Sequence, residues 1–279
     1  SYAAIYGSKK SFEDVLSILI NNPLEYKISD PPKVIDFQKG IELKNMHFKY
    51  ANDNKWLFND VNLFLEKGLC IGFIGETGSG KSTFLDIITG LLPPTIGEIK
   101  VDDKVINYKN IRSWQSHIAH VPQSIYLSDC TIAENIAFGK HLDDIDWKLM
   151  VESSKKADIH ELIEGWNDKY MTQVGKRGVR LSGGQRQRIG IARALYKQSN
   201  VIVFDEATSA LDNSTEMSIM SAISKLDKNL TIFIIAHRLT TLKNCEKIIE
   251  IKKDAGFSFV NYEDVIAQNE ILITKNRGI

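Results

Sequence analysis

The sequence predicts an α/β fold, a parallel sheet of buried strands alternating with helices. Three observations lead there. Leu69-Cys-Ile-Gly-Phe-Ile74, Val201-Ile-Val-Phe204 and Thr231-Ile-Phe-Ile-Ile-Ala236 are short continuous apolar runs, the mark of strands buried on both faces. Helical periodicity follows two of them: Phe84, Ile87, Ile88 and Leu91 after the first, and Ile219, Ala222, Ile223 and Leu226 after the second. The third observation is their order, because strands alternating with helices need crossover connections and those build a parallel sheet.

In chain order, the first element is a helix at Ser11–Ile20, where Phe12, Val15, Leu16 and Leu19 take helical spacing. Asn21-Asn22-Pro23 stops it, and Asp30-Pro31-Pro32 reads as an extended linker. Residues 1–36 are thus expected to be a helix and linker, and 37–279 the main domain, with its first strand near Gly40. From Ile41 to Ile106 the pattern is mostly strand-like. Val61, Leu63 and Leu65 alternate with polar or partly exposed neighbours, and Gly97-Glu-Ile-Lys-Val101 repeats the habit. The run Leu69–Ile74 opens straight into Gly75-Glu-Thr-Gly-Ser-Gly-Lys81-Ser82, and the helix beyond is ended by Gly90 and Pro93-Pro94. Residues of about 124–180 change character, with helical stretches, the acidic Asp143-Asp144-Ile-Asp146 and few strand signals. We read an inserted helical subdomain there, about 124–190.

With 279 residues, 43% hydrophobic and 25% charged, the chain can bury a substantial core, which argues against wholesale disorder. Thirty-five basic residues balance thirty-five acidic ones, so the basic excess of a nucleic-acid-binding domain is missing. Cys70, Cys130 and Cys245 are far apart in sequence, odd in number and without CxxC spacing, a pattern expected of reduced thiols in a cytosolic protein. No apolar run approaches the ~20 residues of a membrane-spanning helix. The chain begins at Ser1 rather than Met and shows no signal peptide, so it reads as processed or excised from a longer protein.

Gly75–Ser82 carries the first chemistry. Gly75, Gly78 and Gly80, with Glu76, Thr77 and Ser79 between them, let successive backbone N–H groups turn inward around phosphate oxygens. The helix starting near Lys81 adds its positive dipole end. Lys81 would reach the β- and γ-phosphates and Ser82 would ligate Mg²⁺, with Thr83 beside them. A plain glycine turn needs neither Lys81 nor Ser82. Asp205 and Glu206 end an apolar strand, where ligands of open parallel sheets collect. Asp205 would hold Mg²⁺ and Glu206 would polarise an attacking water, although Asp-Glu at a strand end is often only the polar start of a loop. Ser182-Gly183-Gly184-Gln185 is a capping box opening a helix whose apolar face is Ile189, Ala192 and Leu195. Its glycine-lined N-terminus is a second ready anion site, and bare capping explains it as well.

From about Gly40 to the C-terminus the chain resembles an ABC (ATP-binding cassette) nucleotide-binding domain, with the family's motifs in order. The resemblance implies an α/β P-loop NTPase (RecA-like) core with an antiparallel β subdomain and an inserted α-helical subdomain. It matches Tyr50, in His47-Phe-Lys-Tyr, to the aromatic that stacks on adenine. Gln123, in Val121-Pro-Gln, matches the glutamine that joins the nucleotide and Mg²⁺ site to the helical subdomain. Leu181–Gln185 matches the signature that closes over the γ-phosphate bound by an opposite subunit, and Ser209-Ala-Leu-Asp212 the loop through which subunits communicate. His237, in Ala236-His-Arg, matches the switch histidine on the γ-phosphate.

Met171–Gly178 is similar to the exporter loop that contacts the membrane domain, except that Gln173 and Lys176 replace two glutamates. Of the basic residues Lys176, Arg177, Arg180, Arg186 and Arg188, most are expected on a solvated face. Together with the stretch before Gly40, these features imply the ATPase part of an exporter, using ATP and Mg²⁺, paired with a second copy of itself and with a transmembrane domain. Its place would be the cytoplasmic face of the cell (inner) membrane, with the isolated domain soluble. No nucleic-acid partner is expected. The alternatives are a stand-alone importer ATPase subunit and a soluble ABC ATPase acting on nucleic acid; the latter typically carries tandem cassettes or long coiled-coil insertions, neither of which fits here, and the neutral charge also counts against it.

Overall fold

The structure is a computed structural model that describes residues 16, 35–51, 53–205, 213–224, 226–227, 229–236, 238–253 and 256–267. Of the helix expected at Ser11–Ile20 only Leu16 falls among them, in helical conformation; the linker at Asp30–Pro32 lies outside the described residues. The chain divides into Ser1–Lys33 and Val34–Ile279, and the architecture below is that of the second unit.

Two sheets organise it. The first is antiparallel, in the order β2-β1-β4-β5, from β1 (Gly40–Phe48), β2 (Phe58–Glu66), β4 (Ile96–Val101) and β5 (Lys104–Val105). The second runs β10-β9-β3-β8-β7-β6, from β3 (Cys70–Ile74), β6 (Ile118–Val121), β7 (Val201–Asp205), β8 (Thr231–Ile235), β9 (Lys247–Ile251) and β10 (Phe257–Val260). Its pairs are parallel except at the edge, where β10 lies antiparallel to β9.

The apolar runs become strands here because both faces of the second sheet are covered. Val201, Val203, Phe233 and Ile235 pack with the antiparallel sheet and with α1 (Lys81–Ile88). Their neighbours Ile202, Phe204, Ile232 and Ile234 point the other way, into a core shared with helices. Those helices are α3 (Ile132–Ile136), α4 (Trp147–Lys156), α5 (His160–Glu164), α6 (Gly183–Tyr196) and α7 (Asn213–Ser224); α2 (Ile111–Ser116) precedes β6. Strand alternation thus distributes one sheet between two cores.

The expected elements largely appear, with one local correction. Phe84, Ile87 and Ile88 are buried on α1, but Leu91 is 66% exposed. Helix α1 ends at Ile88 because Gly90 takes a left-handed conformation (φ 74) and turns the chain, with the Leu91 and Leu92 N–H groups bonding back to the Asp86 carbonyl. The acidic stretch does local work too, since Asp146 caps α4 by accepting from the Leu149 N–H at 3.0 Å. Near its start the unit is pinned by the Asp102 carboxylate, which accepts from the backbone N–H groups of Gln38, Lys39 and Gly40.

Candidate active site

The parallel register sets the site. Phe73 of β3 lies opposite Ile235 of β8, which lies opposite Asp205 of β7. Val121 of β6 lies opposite Phe204. With strands ~4.8 Å apart, Gly75, Asp205 and Gln123 therefore emerge along the same carboxyl edge within ~15 Å. Edge placement of this kind is where open α/β sheets bind ligands.

Gly75–Ser82 folds as a tight loop between β3 and α1. Its glycines are required at two points. A Cβ on Gly75 (φ 149) would lie 2.2 Å from the Ile251 carbonyl oxygen, and one on Gly80 (φ 97) 2.8 Å from Phe58 Cζ. Gly80 is also the N-cap of α1 and supplies no side-chain acceptor, so the first-turn N–H groups have no side-chain cap. Lys81 is nearly buried, and its ammonium donates to the carbonyls of Gly75 (2.8 Å) and Glu76 (2.9 Å), holding the charge at the loop. Ser79 is 1% exposed, yet its hydroxyl has no hydrogen-bond partner among the described residues. A buried polar atom left so costs roughly 1–3 kcal/mol, which an anion in the loop would recover. The side of Gly78 where a Cβ would stand is open. Glu76 is exposed and paired with Lys253 at 2.8 Å.

Tyr50 reaches this loop from the end of β1. Its hydroxyl is 2.8 Å from Thr83 Oγ1, its ring packs edge-on against Phe48, and it remains 44% exposed. A half-exposed aromatic held beside the loop is a stacking surface. Ser82 is exposed in the first turn of α1. Asp205 is partly buried, and His120 of β6 lies 3.9 Å from its carboxylate. His120 also faces α1: burial pushes the Asp86 carboxyl up, and the His120 charge opposes that shift. No sequence signal pointed to His120, whose place depends on strand pairing. Ser82, Asp205 and Gln123 carry hydroxyl, carboxylate and amide oxygens, hard donors of the kind that would suit Mg²⁺. Glu206, Ser209–Asp212 and His237 lie outside the described residues.

Ser182 opens α6 (Gly183–Tyr196). The capping box forms as expected, with Gln185 N–H donating to Ser182 Oγ at 3.2 Å and Ser182 N–H to Gln185 Oε1 at 2.8 Å. Ser182 and Gly183 are exposed, Gly184 buried. The cleft at this N-terminus is lined by Asp158, Leu162, Ser182, Gly184, Gln185 and Arg188, with no residue of the Gly75–Thr83 segment.

The basic residues nearby divide. Lys176 and Arg180 are exposed as expected. Arg186 and Arg188 are not a solvated face: Arg186 donates to the Leu181 carbonyl at 2.6 Å, and Arg188 binds Asp158 and the Ser218 hydroxyl. They brace the helix start because its flanking loops leave carbonyls and a carboxylate that need donors. Two further braces were missed. Asn135 is fully buried and ties Ser128 and Thr131 to the start of α3, while Arg193 of α6 donates to the Asn135 carbonyl at 2.8 Å. Thr131-x-x-Glu134, a second capping box, was readable from sequence.

Fold and loop together define a P-loop α/β core with an added antiparallel sheet and helical segment. Comparison with known proteins narrows the class. A family model described as ABC transporter matches residues 58–209, more than half of the chain. The chain is 38% identical over 242 residues to the alpha-hemolysin translocation ATP-binding protein HlyB of Escherichia coli O157:H7, covering 87% of this chain and 34% of that protein. It is 41% identical over 209 residues to the ATP-dependent lipid A-core flippase of Saccharophagus degradans, covering 75% of this chain and 35% of that protein. The solved structure of a bacterial Atm1-family ABC exporter with ATP bound superposes with a TM-score of 0.78 at 27% identity, over 93% of this chain and 46% of that one. The chain belongs to the ABC transporter family, as an exporter-type nucleotide-binding domain with ATPase activity. It spans roughly a third of the length of each of these two relatives.

Proposed function

We propose that the chain is the ATP-hydrolysing engine of a membrane exporter, and that two copies work head to tail. The observation that carries this reading is that the cleft at the Ser182 cap is lined by no residue of the Gly75–Thr83 loop. The Gly75 loop sits on the carboxyl edge of the sheet, whereas the exposed Ser182 cap borders a different cleft. Each copy then offers half of two sites, with the Gly75 loop of one facing Ser182, Gly183, Gly184 and Gln185 of the other.

In this reading Tyr50 stacks on adenine. The backbone N–H groups from Gly75 to Thr83, including those of Glu76, Thr77, Gly78, Ser79 and Gly80, cradle the phosphates, and Lys81 neutralises their β- and γ-oxygens. Ser82, Gln123 and Asp205 hold Mg²⁺, which supplies neutralisation of charge on the transferred phosphoryl group. Glu206 accepts a proton from the attacking water, and His237 contacts the γ-phosphate. A lone copy grips one face of the triphosphate and so hydrolyses it poorly, because charge stabilisation has to surround the phosphoryl group.

Closure and reopening of the pair pass through Gln123 and the helical subdomain, about 124–190, to a transmembrane domain. The relatives named as a translocation protein and a flippase, both far longer than this chain, support that arrangement. Residues 1–36 would be the helix and linker from the membrane domain and 37–279 the ATPase, at the cytoplasmic face. The described residues contain no helix long and apolar enough to cross a membrane. The test is Glu206→Gln, which blocks hydrolysis while leaving binding intact. With Mg-ATP this variant elutes from a sizing column as a dimer; a monomer at high ATP and protein concentration refutes the shared site.

A further inference from the structure

Two of the three cysteines meet, although they stand 175 positions apart. The S–H of Cys70, the first residue of β3, donates to Cys245 Sγ, with the sulfurs 3.5 Å apart. Both are free thiols and both are only partly buried. The surrounding backbone is fixed. Cys70 N–H donates to Glu246 Oε2 at 2.7 Å, and Glu246 N–H donates to the Cys70 carbonyl at 2.9 Å. Ile71 lies opposite Lys247 in the β3–β9 ladder, so Cys70 and Cys245 are diagonal neighbours, with Cα atoms ~6 Å apart, inside the span a disulfide bridges. Gly72 keeps Cys245 against the strand: a Cβ there would lie 3.2 Å from Cys245 Sγ. Cys130 sits elsewhere, its sulfur bonded by Asn135 Nδ2 at 3.3 Å.

We propose that Cys70 and Cys245 form an oxidisable dithiol, a modification site at which hydrogen peroxide closes an intramolecular disulfide that slows ATP hydrolysis. The Cys70 S–H is engaged on Cys245 Sγ, so Cys245 attacks first. Cys245 gives up its proton, its sulfur forms an S–O bond as the peroxide O–O bond breaks, and the hydroxide released takes up that proton and leaves as water. Cys70 then gives up its proton and attacks the sulfenic sulfur. An S–S bond forms, the S–O bond breaks, and a second water departs. Two thiols lose two electrons and the peroxide gains them. The hydrogen bond to Cys245, with burial, pushes the Cys70 thiol up, so the Cys70 thiolate that closes the bond forms more readily in alkali.

The consequence follows from where the bond falls. Cys70 starts the strand that runs into Gly75. Cys245 follows the 3-10 turn Leu239–Asn244, which comes just after His237 in sequence. A covalent tie there fixes the strand feeding the phosphate loop to the segment leaving the switch position. Only this effect on activity rests on the ATPase reading above; the sulfur chemistry stands apart from it.

The experiment treats the 279-residue chain with hydrogen peroxide, counts free thiols after denaturation, and follows ATP hydrolysis at high chain concentration. Thiols fall from three to one per chain with no dimer on a non-reducing gel. Hydrolysis drops roughly fivefold or more and returns with dithiothreitol, as expected when a moving segment is tied. Cys130→Ser behaves in the same way, losing both of its thiols. Cys245→Ser keeps its thiols, Cys70→Ala stops at the sulfenic acid of Cys245 without forming a disulfide, and both keep their activity under peroxide. Three retained thiols, a bond that includes Cys130, or a cross-linked pair of chains overturns the modification site. A disulfide with unchanged hydrolysis overturns the switch. A reduced chain without any hydrolysis counts against the ATPase reading alone, since the thiol count still decides the site.

Discussion

Glu216 and Arg238 form a pair whose two members should cost very different amounts to remove. Glu216, on α7, is 3% exposed and accepts from Arg238 Nη1 at 2.5 Å and from Thr240 Oγ1 at 3.1 Å. The Arg238 side chain is 36% exposed. Arg238→Ala leaves a buried carboxylate with one hydroxyl for company, a loss of about 3–4 kcal/mol. Glu216→Ala leaves a guanidinium that can turn to water, and Thr240 is already exposed, so about 1–2 kcal/mol is lost. The gap of about 2 kcal/mol is roughly thirtyfold in the folding equilibrium. Urea unfolding followed by tryptophan fluorescence resolves it as a midpoint difference of roughly 0.7 M at a slope near 3 kcal/mol/M. The double variant should cost less than the sum of the two single variants, because both remove the same contact. Equal costs for the two single variants, or a larger one for Glu216→Ala, would refute the argument from burial. The pair ties α7 to the segment after position 237, so the same variants report how firmly that segment is held.

Two other outcomes are expected. Gly80→Ala should destabilise the unit by about 2–4 kcal/mol, combining a left-handed backbone with a Cβ forced against Phe58, and a loss under about 0.5 kcal/mol in urea unfolding would contradict it. Glu134 is held below the usual carboxylate range by the Thr131 hydroxyl and then by the Thr131 N–H. A depressed folded value contributes stability that is complete above about pH 4.5 and fades as pH falls through the folded value. The stability gap between wild type and Glu134→Gln should therefore narrow below pH 4.5; a gap that is flat with pH counts against the capping box as its source.

Much of the site was legible because its residues are local. Gly75–Ser82 acts within eight consecutive positions, and the Ser182 box within four, so spacing alone carries their geometry. The strands were legible for a related reason: a strand buried on both faces must be apolar along its buried length, and β3, β7 and β8 are, with Asp205 and Thr231 only at strand ends. Leu91 shows where local reading slips, since helical spacing continued on paper past a glycine that turned the chain. Arg186 and Arg188 show it again, because charge in a sequence says nothing about which carbonyls stand within reach.

The sequence by itself determined the phosphate loop, the helix cap and the family, through short-range patterns that physics ties to backbone conformation. Tertiary structure alone decided which distant groups touch. His120 beside Asp205, Arg238 on buried Glu216 and the Cys70 thiol on Cys245 join residues 22 to 175 positions apart. Those contacts are set by strand order and register, which place β3 between β8 and β9 whatever the separation along the chain. The cysteines that spacing marked as three unrelated thiols became a pair for that reason.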